Sequence, residues 1–292
     1  MITRKAYAKI NLGLDVTGRR EDGYHIVRMI MQNVDIYDTL TFEKNDLGQI
    51  RLTANKDTIP TDEHNLIYKV CALLMEKYDI KEGVDVHLEK RIPVAAGMAG
   101  GSTDGAAAFY GMKELFDLPI TKEEMCEMAV KLGADIPYCI MGGTMLSEGI
   151  GEVLTALPDM PDCYILVGKP AINVSTGWVY TELDSKEIES HPDIDGMCEA
   201  IKTGDLKGVC DRLSNVLEPV TKSEYDVIDK IEALMEDNGA IRSIMTGSGP
   251  TVFGIFDDKE KLENAYEAVK ESGLCPQLFM SKPINQLSPK SL

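Results

Sequence analysis

One stretch constrains this chain more than any other: Pro93-Val94-Ala95-Ala96-Gly97-Met98-Ala99-Gly100-Gly101-Ser102-Thr103-Asp104, set between a strand-like and a helix-like run. Glycines let the backbone turn tightly and bring its N–H groups close to a ligand. A helix starting directly afterwards adds unpaired N–H donors and a partial positive charge. Together these make an anion site suited to phosphate. Ser102 and Thr103 add hydroxyls that can donate or reach a Mg²⁺ ion. The stretch is neither a GxxxxGK[ST] loop nor a GxGxxG fingerprint, and by itself it also reads as a turn whose small residues pack under the helix. A second glycine stretch, Thr246-Gly247-Ser248-Gly249-Pro250-Thr251, lies between two apolar runs. It reads either as a hairpin turn with a bulge or as a loop that approaches a substrate or supports the first.

The rest of the chain alternates strands and helices irregularly, which fits α+β better than a doubly wound sheet. Apolar residues alternate in AYAKINLGLDVTGRR, and Asp22-Gly23 marks a turn before HIVRMIMQNVDIYDTLTFEK. His64 to Tyr78 has helical spacing, and VDVHLEKRIP is a strand. AAAFYGMKELF is a helix. The next helix is expected from Thr121, with Glu124 completing a capping box, to Gly133. The two prolines and two acids of LPDMPD suggest a domain boundary. Beyond it come a strand (YILVGKP), the segment STGWVYTEL, an acidic loop from Asp184 to Asp195 and two helical stretches. The hairpin SIMTGSGPTVFGIF and a last amphipathic helix, KEKLENAYEAVKESG, close the pattern.

A chain of 292 residues with 44% hydrophobic content can bury a sizeable core. Its net charge of -18 repels polyphosphate backbones, so a nucleic-acid-binding role is disfavoured. A small anion bound inside a local cluster of cations and N–H groups remains compatible. The seven cysteines have no CxxC pair and no histidine at zinc-site spacing, so they read as reduced, mostly buried thiols in a cytoplasmic protein. No apolar run approaches membrane length, and the N-terminus lacks the apolar core of a signal peptide.

Phosphoryl transfer to an alcohol needs a carboxylate near the nucleophile and cations to spread the developing charge. Asp135 stands out because it follows a helix stop and precedes Ile-Pro. Lys9 stands out because it interrupts an apolar strand, where burial is costly without a partner. Each also has a plainer reading: an acid at a helix end, and a lysine on an edge strand with its head in water.

Together these segments resemble the GHMP kinase superfamily. PVAAGMAGGSTDGAAA looks like its ATP loop, and MTGSGPTVFGIF like its C-terminal glycine motif. The N-terminal segment, Ala8-Lys9-Ile10-Asn11-Leu12-Gly13-Leu14 with Gly18-Arg19-Arg20-Glu21-Asp22-Gly23-Tyr24-His25, resembles the branch that phosphorylates a cytidine diphosphate sugar alcohol in non-mevalonate isoprenoid synthesis. The resemblance implies a two-domain α+β fold, with an ATP-binding domain over residues 1–158, a C-terminal domain over 159–292 and the active site in the cleft between them. ATP and Mg²⁺ are the implied cofactors, and the protein is expected to be a monomer or weak homodimer. Asp135 is the implied base and Lys9 the residue that orients and polarises the hydroxyl. Asn65 and Val94 through Asp104 are the implied ATP-site residues, with Ser102 the candidate Mg²⁺ contact. Asn11, Tyr24, His25, Thr176 and Tyr180 fall on the substrate side. Tyr24 and His25 lie at the cytosine, and Tyr180 is a second aromatic closing on it. A His25 backbone or ring N–H toward cytosine N3 would discriminate against uracil.

The sequence departs from the family at Ala95, Ala96 and Ala99, where glycine is common, and at Thr103, where a second serine is usual. Alanine tolerates positive φ poorly. Ordinary backbone angles are therefore expected at the three alanines, the alternative being an altered ATP affinity. Within the family, another alcohol substrate is the rival reading. A catalytically inactive ligand-binding relative is the rival outside enzymes.

Overall fold

The computed structural model of the chain describes residues 1–287. Its first part runs β1 (Ile2–Arg19), β2 (His25–Asn45), β3 (Ile50–Ala54), α1 (Leu66–Lys77), β4 (Gly83–Glu89), α2 (Gly100–Leu115), α3 (Lys122–Ala129), α4 (Ile136–Met141), β5 (Thr144–Glu148) and β6 (Val153–Ala156). The second runs β7 (Tyr164–Lys169), α5 (Thr176–Asp184), α6 (Ile194–Thr203), α7 (Leu206–Cys210), β8 (Ser214–Asn215), α8 (Glu218–Glu224), α9 (Val227–Asp237), β9 (Arg242–Met245), β10 (Val252–Phe256), α10 (Lys259–Ser272), β11 (Gln277–Ser281) and β12 (Pro283–Ile284). The LPDMPD segment is the connection between β6 and β7.

The larger sheet has the order β3-β4-β2-β1-β8, with β5, β6 and β12 attached through β2 and β5. The smaller is β11-β7-β10-β9. β1 and β2 form a long antiparallel hairpin, Ile2 opposite Phe42 and Arg19 opposite His25. Strand side chains alternate between faces, and in β1 this separates two tasks. Ala8, Ile10 and Leu12 are fully buried in a cluster with Ile165, Val167 and Phe253 of the smaller sheet. The intervening Lys9 and Asn11 line a cavity. β8 reaches β1 only at Gly13 and Leu14, but the Lys9 side chain is buried, so the reading that leaves its head in water does not hold.

Local chemistry explains where several elements start. Thr121 and Glu124 form the expected reciprocal capping box of α3. That helix ends at Ala129 rather than Gly133, the remaining residues forming turns. α2 begins at Gly100, six residues before the apolar run, so half of the glycine-rich stretch is helix. The acidic connection is shorter than expected, since Asp184 closes α5 and Asp195 lies inside α6. Four helices, not two, fill the region up to β9. Gly204 stops α6 in the left-handed conformation and Asp205 caps α7 at once, while Pro219 sits in the first turn of α8. All seven cysteines are free, and six are buried. No described helix is long and apolar enough to cross a membrane.

The last described segment returns to the larger sheet. Pro283 pairs with Val34, Lys282 O accepts from Asp35 N, and Leu287 is buried against Gly142.

Candidate active site

A cavity of about 880 Å³ draws its walls from both parts of the chain. Lys9, Asn11, Tyr24, His25, Asn65 and Asp135 line it from the first part, with Val94, Ala95, Ala96, Gly97, Ala99, Gly100, Gly101, Ser102 and Asp104 of the glycine-rich stretch. Thr176, Tyr180, Gly247 and Ser248 line it from the second. Two expected residues do not. The Met98 side chain is fully buried in the core, and only its carbonyl reaches the neighbourhood, accepting from Lys9 N. Thr103 is turned into the fold, its hydroxyl donating to Tyr7 O.

The glycine-rich stretch works through its backbone. Gly100, Gly101 and Ser102 are the first three residues of α2, so their N–H groups have no preceding turn to bond. Among the described residues, a Cβ on Gly101 would meet nothing nearer than Leu66 Cδ1 at 3.9 Å, so that face is open space. Gly97 is the opposite case. Its φ is +70°, and a Cβ there would lie 2.2 Å from Thr246 O. The two glycine stretches therefore pack backbone to backbone, and the second supports the first. It also reaches the substrate side, because Ser248 Oγ lies 2.8 Å from Thr176 Oγ1 and Thr246 Oγ1 accepts from Asn11 N at 2.9 Å.

The alanines overturn one expectation. Ala95 (φ 50°) and Ala99 (φ 55°) both adopt left-handed conformations, and only Ala96 does not. The path of the loop decides this. Ala99 is the residue before α2, and its unusual angle turns the chain into the helix with the N–H groups facing the cavity.

Lys9 is nine-tenths and more buried. Its Nζ donates to Asn11 Oδ1 (2.6 Å) and Gly97 O (2.9 Å). An ammonium has three N–H groups, so one remains for a ligand. Burial holds its pKa below the ordinary lysine value, and the nearby charge of Asp135 acts in the opposite direction. Asp135 precedes α4 but makes no capping bond to it with its side chain. Its carboxylate lines the cavity instead, so the helix-end reading is set aside.

A buried group escaped the sequence reading. Lys90 Nζ lies under the start of α2, 2.5 Å from Asp104 Oδ2, 2.6 Å from Asp38 Oδ2 and 2.9 Å from Gly100 O. Burial pulls the Lys90 pKa down, but the two carboxylates outweigh it and hold the ammonium above its usual value. Burial, reinforced by Asp38, holds the Asp104 carboxyl well above the carboxylate range. Asp104 Oδ1 is buried without a hydrogen-bond partner among the described residues. No sequence signal marked Lys90, which sits beside Arg91 in an ordinary charged strand end.

On the other side, His25 stacks on Tyr180 with ring centroids 4.6 Å apart and 27° between planes. Burial, with Asp135 adding, pushes the Tyr180 hydroxyl up to about 12. His25 Nε2 is 2.7 Å from Asp184 Oδ1, a partner that the sequence had assigned to a loop. Tyr24 is 58% exposed at the rim. Asn65 caps α1, accepting from Ile67 N while donating to Pro60 O, so its side chain is structural as well as cavity-lining. Thr176 opens α5.

An anion cradle, a buried lysine, an uncommitted aspartate and an aromatic wall thus share one cavity. Residues 65–143 match the N-terminal domain of GHMP kinases and residues 197–274 the C-terminal domain, together more than half of the chain. This chain is a GHMP kinase. The kinase is 50% identical to a 4-diphosphocytidyl-2-C-methyl-D-erythritol kinase of Lachnospira eligens, over 96% of this chain and 98% of that one. It is 47% identical to the enzyme of that name from Lachnoclostridium phytofermentans, over 97% of each. Its fold matches a crystal structure of 4-(cytidine 5'-diphospho)-2C-methyl-D-erythritol kinase with a TM-score of 0.82, at 28% identity over 97% of this chain and 99% of that one. A homoserine kinase from Cytophaga hutchinsonii shares the fold at a TM-score of 0.74 and 16% identity, covering 99% of this chain and 96% of that one. The two-domain mixed fold and the dependence of such kinases on ATP follow from this membership.

Proposed function

We propose that this kinase transfers the γ-phosphate of ATP to the 2-hydroxyl of 4-diphosphocytidyl-2-C-methyl-D-erythritol, a step of non-mevalonate isoprenoid precursor synthesis. The observation that carries the reading is the convergence of the α2 N-terminus, Lys9, Asp135 and the Tyr24–His25–Tyr180 wall on one cavity. Near-full-length identity to relatives of that name supports it.

In this reading the N–H groups of Gly100, Gly101 and Ser102 bind the phosphates, and the open face of Gly101 leaves them room. The ammonium of Lys9 directs its third N–H at the acceptor hydroxyl. Asp135 takes the proton of that hydroxyl. Most of the acceleration comes from positioning and fixed charge. Mg²⁺ fits the same corner: Ser102 lines it with a hydroxyl that would hold the ion, and the buried Oδ1 of Asp104, without a hydrogen-bond partner among the described residues, is an unused oxygen acceptor in the same lining. When bound, Mg²⁺ neutralises charge on the phosphates.

Recognition of the base falls to the aromatic side. His25 and Tyr180 are already in contact, so no ring fits between them. The base therefore stacks on the Tyr24 side. The decisive assay incubates the purified protein with ATP and this substrate, its uridine analogue, homoserine or mevalonate, and follows ADP release. Turnover of the cytidine compound alone is the expected result. Equal turnover of the uridine analogue would return the chain to an unspecified GHMP kinase.

A further inference from the structure

We propose that Asp184 is a positioning residue for nucleobase recognition: it accepts from His25 Nε2–H and so fixes the imidazole as the tautomer whose Nδ1 is a hydrogen-bond acceptor. The inference rests on the reading of Tyr24, His25 and Tyr180 as the cytosine site.

Asp184 is the last residue of α5, and His25 is the first of β2, so the contact joins the two parts of the chain across the cavity. The second carboxylate oxygen, Oδ2, lies 2.9 Å from a guanidinium nitrogen of Arg19, the last residue of β1. One carboxylate thus ties the end of α5 to both strands flanking the 20–24 turn. Tyr180 stands four residues before Asp184, on the same face of the helix. His25 is consequently held twice by one element, its face against Tyr180 and its edge against Asp184. The His25 side chain retains 12% exposure, so the ring is a wall of the site rather than a mobile rim residue.

The chemistry follows from the proton count of imidazole. A neutral ring carries one N–H, and the other nitrogen is an acceptor. A carboxylate on Nε2 stabilises the Nε2–H form, which leaves Nδ1 with a lone pair. The ring N–H is engaged by Asp184 and is not free to meet cytosine N3. An acceptor at Nδ1 instead suits the exocyclic amino group at C4 of cytosine. Uracil has a carbonyl oxygen at that position, and two acceptors facing each other repel. Without Asp184 the two tautomers interconvert, the ring can offer either an N–H or a lone pair, and discrimination falls.

The test uses the full chain labelled with ¹⁵N-histidine. Of the four histidines, His25 is assigned through the loss of its signals in His25→Gln. Two-bond ¹H–¹⁵N spectra should show His25 protonated at Nε2 and bare at Nδ1 in the wild type, and mixed in Asp184→Ala. Asp184→Asn keeps an acceptor oxygen and should restore the wild-type tautomer. In kinetics, Asp184→Ala should raise KM for the cytidine substrate about tenfold, with the loss in KM rather than kcat and KM for ATP held within about twofold. The preference for the cytidine over the uridine compound should fall about tenfold, and Asp184→Asn should recover most of it. A proton on Nδ1 in the wild type overturns the proposal, whatever the variants do. So does an unchanged base preference in folded Asp184→Ala, or an equal rise in both KM values with a lowered Tm, which marks a simple brace. If the wild type itself ignores the base, the substrate reading fails, while the spectra still decide whether Asp184 sets the ring.

Discussion

The two sides of the cavity are built in opposite ways. The side proposed to hold the phosphates is backbone: N–H groups at the start of α2, glycines packed against glycines, and a buried lysine between two aspartates underneath. The side proposed to hold the base is side chain: a stacked His25–Tyr180 pair, an ion pair and a largely exposed tyrosine. A backbone site has no atoms to spare, since any added Cβ lands on a neighbour or in the ligand. A side-chain site can lose one group and keep the rest. The first should fail abruptly under substitution and the second by degrees.

The largest effect is expected where the two sides meet. Asp135→Asn preserves shape but removes the base, and kcat should fall by about 10²- to 10⁴-fold with KM values little changed. Lys9→Met should be comparably damaging, and the double variant little worse than the worse single one, because the two act as a unit. Steady-state kinetics check this, and a variant keeping more than half of the wild-type kcat removes Asp135 from the role of base.

Next comes the abrupt side. Gly101→Val places methyl groups in the open space over the α2 N-terminus, and ATP binding should be lost with circular dichroism unchanged. Calorimetric titration decides it. Unchanged ATP affinity in a folded variant would mean that the stretch is a packing turn after all.

On the graded side, Tyr24→Ala should weaken substrate binding by about 1–3 kcal/mol, the usual contribution of stacking on a base, and Tyr180→Ala should weaken it less, by releasing the His25 ring that it backs. The cytidine preference should survive in Tyr24→Ala, since a ring face reads no base edge. Competition between the cytidine and uridine compounds measures both quantities. Complete loss of binding in Tyr24→Ala would erase the contrast between the two sides.

How much of this was legible in the sequence follows the same division. That the glycine-rich stretch lines a cavity could be read because small residues let backbone form a wall, and Lys9 because a lysine inside an apolar strand needs a reason. The capping box of α3 was equally local. Asp184 and Lys90 could not be read. Each is an ordinary charged residue in a charged segment, and its meaning comes from partners 159 and 52 positions away. Periodicity alone finds α2 only from Ala106, because its first turns hold glycines, which lower helix propensity, and tertiary packing overrides that. The angles of Ala95 and Ala99 were misjudged for the same reason: the surrounding loop imposes a conformation that alanine alone avoids.

That misjudgement yields the smallest prediction. Ala99→Gly relieves a left-handed alanine and should raise stability by about 1 kcal/mol, read from denaturant midpoints, with ATP affinity retained. A loss of stability would show that the alanine methyl packs usefully enough to offset its strain.

The return of residues 282–287 to the larger sheet has a consequence in time rather than space. Val34 and Asn33 sit near the beginning of the chain, yet their strand partners are Pro283 and Ile284. A ribosome adds roughly 5–20 residues each second, so β2 waits on the order of ten seconds or more for that edge to be covered. During that interval the β1–β2 hairpin exists with part of its hydrogen bonding open, and Gly142 has no Leu287 against it. The glycine-rich stretch itself waits for Thr246 and Gly247, against which Gly97 packs, and the sheet behind it closes later still, once synthesis has passed the last described strand.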